Sequence, residues 1–185
     1  MQVIRKYTIW LMGLTSSGKS TIAEHLVNIL QNNDIPILHY DGDEVRSFFG
    51  KDFGFTEDNR GRVVETLAHL AIKANNAGIN VVVSALTAHQ TAREHIKKTI
   101  PNLLVGHVDC PIDICVARDP KGLYEKAGNG EIDTLIGYNS TYQPPVEPDI
   151  KLDTSMFSAE ENAHRLYGFL ENHIKSRHRK SHPRR

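Results

Sequence analysis

"GLTSSGKST", residues 13–21, stands between the apolar run "YTIWLM" (7–12) and the amphipathic stretch "IAEHLVNIL" (22–30). Gly13, Gly18, Lys19 and Ser20 satisfy G-x-x-x-x-G-K-[ST], the spacing of a loop that wraps phosphate. The pattern is short, so its surroundings decide the reading. A β-rich run precedes it. After it, Ile22, Ala23, Leu26, Ile29 and Leu30 fall on one helical face. Glycines let consecutive amides turn into one concavity. A helix starting near Lys19 aims its positive dipole end at the same place. The loop residues Gly13, Leu14, Thr15, Ser16, Ser17, Gly18, Lys19, Ser20 and Thr21 are therefore expected to hold a triphosphate. Lys19 supplies a mobile charge for the β- and γ-phosphates, and the Ser20 hydroxyl is a candidate Mg2+ ligand.

Outward from this loop, strands and helices alternate. "IPILHY" (35–40) reads as a second strand, "NVVVSAL" (80–86) as a third, "LLVGHVD" (103–109) as a fourth and "DIKLDT" (149–154) as a fifth. Between them, Val63, Val64, Leu67, Leu70, Ala71 and Ala74 keep helical spacing, Gly78 stops that helix, and "TAREHIKK" (91–98) resumes it. Ser158 and Glu161 form a capping box before a last helix with Ala163, Leu166, Tyr167 and Leu170 inward. Near-continuous apolar strands in alternation with helices predict a parallel sheet covered on both faces. Residues 119–148 make a polar, glycine-containing connection too long to be a plain linker, and such segments usually serve function.

The chain has 185 residues, 39% hydrophobic and 24% charged, the profile of one globular domain. No apolar stretch approaches the roughly 20 residues of a membrane span. The first residues read as a strand entering the phosphate loop and not as a signal peptide. Cys110 and Cys115 are too few for a disulfide framework and fit no zinc spacing. They are expected to be buried, reduced thiols in a cytoplasmic protein. The "NST" at 139–141 is discounted as a glycan acceptor for the same reason. Residues 175–185, "KSRHRKSHPRR", carry six Lys and Arg and no acid, and the other residues carry 16 Lys and Arg against 22 Asp and Glu. One domain over 1–174 followed by a basic, disordered tail is expected, with no nucleic-acid partner.

"DGDEVR" (41–46) follows the second strand, at the carboxyl edge where open α/β sheets bind ligands. Asp41 and Asp43, separated by a glycine, can both face a transferred phosphate. One carboxylate can orient Mg2+ and the other can accept a hydroxyl proton. Arg46, a helical turn later, can clamp an anion. The third strand ends in Ser84, where motor-type and GTPase-type phosphate-loop proteins usually carry an aspartate. That absence favours a small-molecule kinase.

"GLTSSGKSTIA", "DGDEVR", "GFTEDNR" (54–60), "RDPKGLYEKAGNGEI" (118–132) and "YQPPVEPDI" (142–150) together resemble the adenylylsulfate kinase family over about residues 7–170. The resemblance implies a three-layer α/β fold of the P-loop kinase type, with a parallel five-stranded sheet and a mobile lid over about 119–148. It implies MgATP as donor, the 3′-hydroxyl of a small nucleotide as acceptor, and a cytosolic homodimer. It implies Asp43 as base, with Asp41 and Lys19 beside it, and Ser20 and Asp41 at the metal. Arg118 would lie against the ATP base. Arg46, Phe55, Arg60, Lys121, Gly122 and Leu123 would meet the acceptor. By composition, the lid is a cationic flap able to exclude water, with Gly128 and Gly130 as hinges.

The chain departs from the family pattern mostly on the acceptor side. The family reads D-R-x-x-N-I-R-R where this chain reads "NRGRVVET" (59–66). Val63 stands for the asparagine, and Glu65 and Thr66 stand for two arginines. "LTAHQ" (86–90) replaces "ISPYR", and Leu135 replaces a lid phenylalanine that would stack on a base. Arg62 and Tyr138 are new groups able to compensate. Adenylylsulfate is the first expectation for the acceptor. A different nucleotide, such as cytidine diphosphoramidate, is the second, and a non-catalytic nucleotide-binding regulator is a reading of another class.

Overall fold

The computed structural model describes residues 6–50 and 53–181, with side chains up to residue 175. Five strands, β1 (Thr8–Met12), β2 (Ile37–Asp41), β3 (Asn80–Ser84), β4 (Leu103–Asp109) and β5 (Ile150–Asp153), pair in parallel throughout, in the order β2-β3-β1-β4-β5. The expected strands are all present, with ends shifted by no more than two residues; β2 starts two residues later than expected and runs on to Asp41.

Side chains of period two divide the sheet between two cores. Trp10, Met12, Val81, Val83 and Val105 pack under α3 (Glu57–Asn76) and α4 (Gln90–Thr99). Ile9, Leu11, Val82, Leu104 and Val108 pack under α1 (Lys19–Asn32) and α7 (Ala159–Ser181). Both sides of each central strand are therefore apolar, which is why their sequences show no alternation. The Ser158–Glu161 capping box forms in both directions, at 2.8 and 3.1 Å.

Three short helices complete the chain: α2 (Gly42–Ser47), α5 (Ile112–Arg118) and α6 (Leu123–Gly128). The lid helix α6 starts at Leu123, with Gly122 at φ +63 as its N-cap. The Asp119 carboxylate accepts the amides of Leu123, Tyr124 and Glu125 at 2.9–3.0 Å, satisfying the first turn. The inner side of the lid is packed. Tyr124, Ala127 and Leu135 form a third core with Leu14, Cys110 and Cys115. Both cysteines are free and buried, as expected. Among the described residues no helix is long and apolar enough to cross a membrane.

Helix α7 runs through residues 175–181, the start of the segment read as a basic tail. The last four of that basic segment, and residues 1–5 of the N-terminal reading, lie outside the described residues.

Candidate active site

The carboxyl edge of the sheet opens into a cleft of about 1000 Å3. One wall is the phosphate loop. A side chain at Gly13 would put its Cβ 2.4 Å from the Val108 carbonyl oxygen, so only glycine lets the loop lie this close to β4. Gly18, at φ +97, turns the chain into α1. Lys19 Nζ donates to Leu14 O at 2.6 Å, folded onto its own loop. Loss of hydration lowers its ammonium to about 8, against the pull of Asp43 and Asp41.

Asp41 ends β2 and caps α2. Its Oδ1 accepts the amides of Asp43 at 2.8 Å and Glu44 at 3.4 Å. Its Oδ2 accepts the hydroxyls of Ser20 at 2.5 Å and Ser84 at 2.6 Å. Burial raises the Asp41 carboxyl, but these hydrogen bonds outweigh it and hold the group below its ordinary value. The helix cap and the two serine hydroxyls thus use different oxygens of one carboxylate. Asp43, exposed at the start of α2, meets the lid: Lys121 Nζ lies 2.5 Å from its Oδ2. Burial disfavours the Lys121 ammonium, yet the bond and charge of Asp43 raise it overall.

Opposite the loop, Arg46 and Arg60 flank the Phe55 ring, with guanidinium carbons 4.5 and 5.4 Å from its centroid. Arg46 donates to Gly54 O, and Arg60 donates to Phe55 O and Thr134 O, all at 2.9 Å. Burial lowers both arginines, Arg60 to about 10. The β3–α4 loop is pinned from behind. Trp10 Nε1 donates to Thr87 Oγ1, and buried Arg93 donates to Thr87 O, Gln143 O and Pro144 O. One side chain so ties this wall to the end of the lid.

Most of the expected site residues line this single cleft: Thr15, Ser16, Gly18, Lys19, Ser20 and Thr21, then Asp41, Asp43, Arg46, Phe55 and Arg60, then Arg118, Lys121 and Leu123. Gly13, Leu14, Ser17 and Gly122 do not line it. They are spent on shape: Gly13 against β4, Leu14 in the lid core, Ser17 buried with its carbonyl accepting from Thr154, and Gly122 as a cap. Arg118 donates to Thr154 O at 2.6 Å, which fixes it beside a wall the sequence did not reveal, Thr154–Ala159. That wall follows β5 at the same sheet edge and carries exposed Met156 and Phe157, with no motif to mark it.

The two new groups expected to compensate on the acceptor side do not line the cleft. Arg62 lies over Phe49 and Phe53, at 5.8 and 5.7 Å. Tyr138 stands edge-on to Tyr124. Glu65, Thr66 and Gln90 are also off the cleft wall, whereas Val63 and Leu135 are on it.

A phosphate loop after the central strand, an acidic pair at the tip of a neighbouring strand and a lid closing on both define a phosphate-loop kinase of the small-molecule type. The family model for adenylylsulphate kinase matches residues 5–153, and the chain belongs to that family. It is 33% identical over 167 residues to the adenylyl-sulfate kinase of Gloeothece citriformis, covering 90% of this chain and 95% of the relative. It is 36% identical over 173 residues to that of Vibrio cholerae, covering 92% and 80%. The Mycobacterium tuberculosis APS kinase solved in complex with AMPPNP and APS superposes with a TM-score of 0.85 at 34% identity, over 90% of this chain and 98% of that one. A gluconokinase from Sinorhizobium meliloti, at 17% identity and a TM-score of 0.67, shares the fold.

Proposed function

We propose that this chain transfers the γ-phosphate of ATP to the 3′-hydroxyl of adenylylsulfate. One observation carries the reading. Lys19 and Ser20 of the phosphate loop, the acidic pair Asp41 and Asp43, and the cations Arg46, Arg60 and Lys121 line a single cleft. Lys19 and the loop amides hold the triphosphate, and Arg46, Arg60 and Lys121 orient the anionic acceptor. The acceptor oxygen bonds to the γ-phosphorus as the bond from that phosphorus to the ADP oxygen breaks. The hydroxyl proton passes to Asp43, whose Oδ1 has no donor bound to it among the described residues. Arg118 and the Thr154–Ala159 wall flank the ATP base.

Ser20 Oγ is an oxygen donor that suits a hard cation such as Mg2+, with the Asp41 carboxylate behind it accepting the Ser20 proton. Held there, such a cation would supply positive charge against the negative charge that builds on the transferring phosphate. A homodimer follows the family resemblance, and a cytoplasmic address is supported by the two free, buried cysteines.

Val63 and Leu135 favour a second reading, in which the same transfer serves another nucleotide such as cytidine diphosphoramidate. Both line the cleft, and neither offers an aromatic face. Purified protein with MgATP, adenylylsulfate and a set of cytidine diphosphate derivatives decides by comparison of kcat/KM. Adenylylsulfate is expected to lead. A cytidine derivative leading by ten-fold or more would transfer the assignment to it, and no ADP with any acceptor would leave a non-catalytic regulator.

A further inference from the structure

A chain of hydrogen bonds runs behind Asp41, set by the β2–β3 register. Asp41 is the Cα partner of Ser84, and His39 lies two residues back along β2, on the same face of the strand. His39 Nε2 is 2.8 Å from Ser84 Oγ, and Ser84 Oγ is 2.6 Å from Asp41 Oδ2. A carboxylate only accepts, so the single Ser84 proton is committed to Asp41. Ser84 Oγ must accept at its 2.8 Å contact, and His39 Nε2 is therefore an N–H donor; the 3.4 Å approach of Ser20 Oγ to Ser84 Oγ carries no proton, since both hydroxyls give theirs to Asp41. Ser20 commits its own proton to the same Oδ2, while two amides occupy Oδ1. Two bonds on each oxygen fill the acceptor capacity of the carboxylate. Asp41 is locked, and the lone pairs of Ser20 Oγ remain free on the cleft side.

We propose that His39, which does not line the cleft, is a positioning residue for the Ser20–Asp41 pair. Acting through Ser84, it keeps the Asp41 carboxylate turned so that Ser20 presents its lone pairs to the metal of MgATP. This rests on the metal-dependent transfer proposed above for Ser20 and Asp41. A histidine on an edge strand, half-buried beside α1, would otherwise count as surface packing. The difference lies in its effect on metal: a packing residue alters stability, whereas this one alters the Mg2+ requirement.

The test uses the full chain with His39→Ala, His39→Leu and His39→Gln, alone and with Ser84→Ala. Calorimetry of a non-hydrolysable ATP analogue is run across a Mg2+ series, beside steady-state turnover. Removing an outer-shell partner typically weakens a metal site ten- to a hundred-fold, so His39→Ala should raise the half-effective Mg2+ concentration about ten-fold. Metal-free nucleotide binding should be unchanged. His39→Leu, which refills the volume, should behave like His39→Ala. His39→Gln, whose amide can donate at similar reach, should restore the requirement to within about two-fold. Adding His39→Ala to Ser84→Ala should change nothing further. An unaltered Mg2+ requirement in the folded Ala or Leu variant overturns the proposal, as does a Gln variant no better than Ala. If the unmodified chain itself binds nucleotide without regard to Mg2+, the reading of Ser20 and Asp41 falls and this one with it.

Discussion

The two walls of the cleft are made of different material. The phosphate loop is nine consecutive residues, six of which line the cleft, and its path is set by backbone conformation at Gly13 and Gly18. The lining that the proposed function gives to the acceptor is gathered from α2, α3, the β3–α4 loop and the lid, and would meet it with side chains. Backbone sites depend on conformation, so their sequence is narrowly fixed. At Gly13 a single added carbon would meet the Val108 carbonyl at 2.4 Å. Side-chain sites can change one contact at a time, and here the changes on the cleft wall are Val63, Leu135 and the run Leu86–His89. The lost arginine positions Glu65, Thr66 and Gln90 stand off that wall. The side proposed for the acceptor is thus altered around Arg46, Arg60 and Lys121, which keep their places.

The sharpest way to break this division is at Asp43, where the walls meet. Asp43→Asn keeps the size and removes the base. General-base loss costs about 10^2- to 10^4-fold, so kcat is expected to fall roughly 10^3-fold. The dissociation constant of MgATP should stay within about two-fold, because the phosphate wall does not use this side chain. Single-turnover transfer and calorimetry measure the two quantities separately. A variant with full turnover would remove Asp43 from the chemistry. A variant that loses ATP binding equally would dissolve the separation of the walls.

A smaller effect probes the phosphate wall through pH. In the proposed function Lys19 binds triphosphate as an ammonium, and in the free protein desolvation lowers it to about 8. Below that pH the binding form is already present, and affinity should be flat. Above it the free protein must take up a proton to bind, so ATP affinity should drop by up to about ten-fold per pH unit. Calorimetry in buffers of different ionisation enthalpy should show proton uptake rising through pH 8. Lys19→Met should abolish that uptake. Affinity that stays level to pH 10 would mean that the lysine keeps its proton without the ligand.

The same contrast governs what the sequence discloses. The phosphate loop, the five parallel strands and the capping box at Ser158 are local patterns, and each stands where its residues predict. Asp41, Asp43, Arg46 and Arg60 are legible because they follow strand β2 or open helix α3 at the ligand edge. The Thr154–Ala159 wall is not legible, since its place comes from β5 pairing with β4 and from Arg118 reaching across to Thr154 O. Arg62 is misjudged for a related reason. Its charge and proximity to Arg60 fit an acceptor role, but one helical step turns it toward Phe49 and Phe53. Helix α7 carries its backbone through residues 175–181, which read from their charge as the start of a tail. Charge content alone says nothing about that continuity.

The mildest probe is Leu135, the cleft-facing change in the lid. It is buried against Tyr124 and Leu14 on one side and borders the cleft on the other. Leu135→Phe would return an aromatic face to that border without touching the phosphate loop. Stacking of aromatic pairs contributes about 0.5–1.5 kcal/mol beyond burial, so the KM for adenylylsulfate should fall about five-fold with kcat and the ATP dependence unchanged. Cytidine derivatives, with smaller rings, should gain less. A KM for adenylylsulfate that does not move, in a variant that melts like the parent chain, would mean that the base lies away from the lid. A rise in KM would mean that leucine is the fitted side chain and that the acceptor is shaped for the space it leaves.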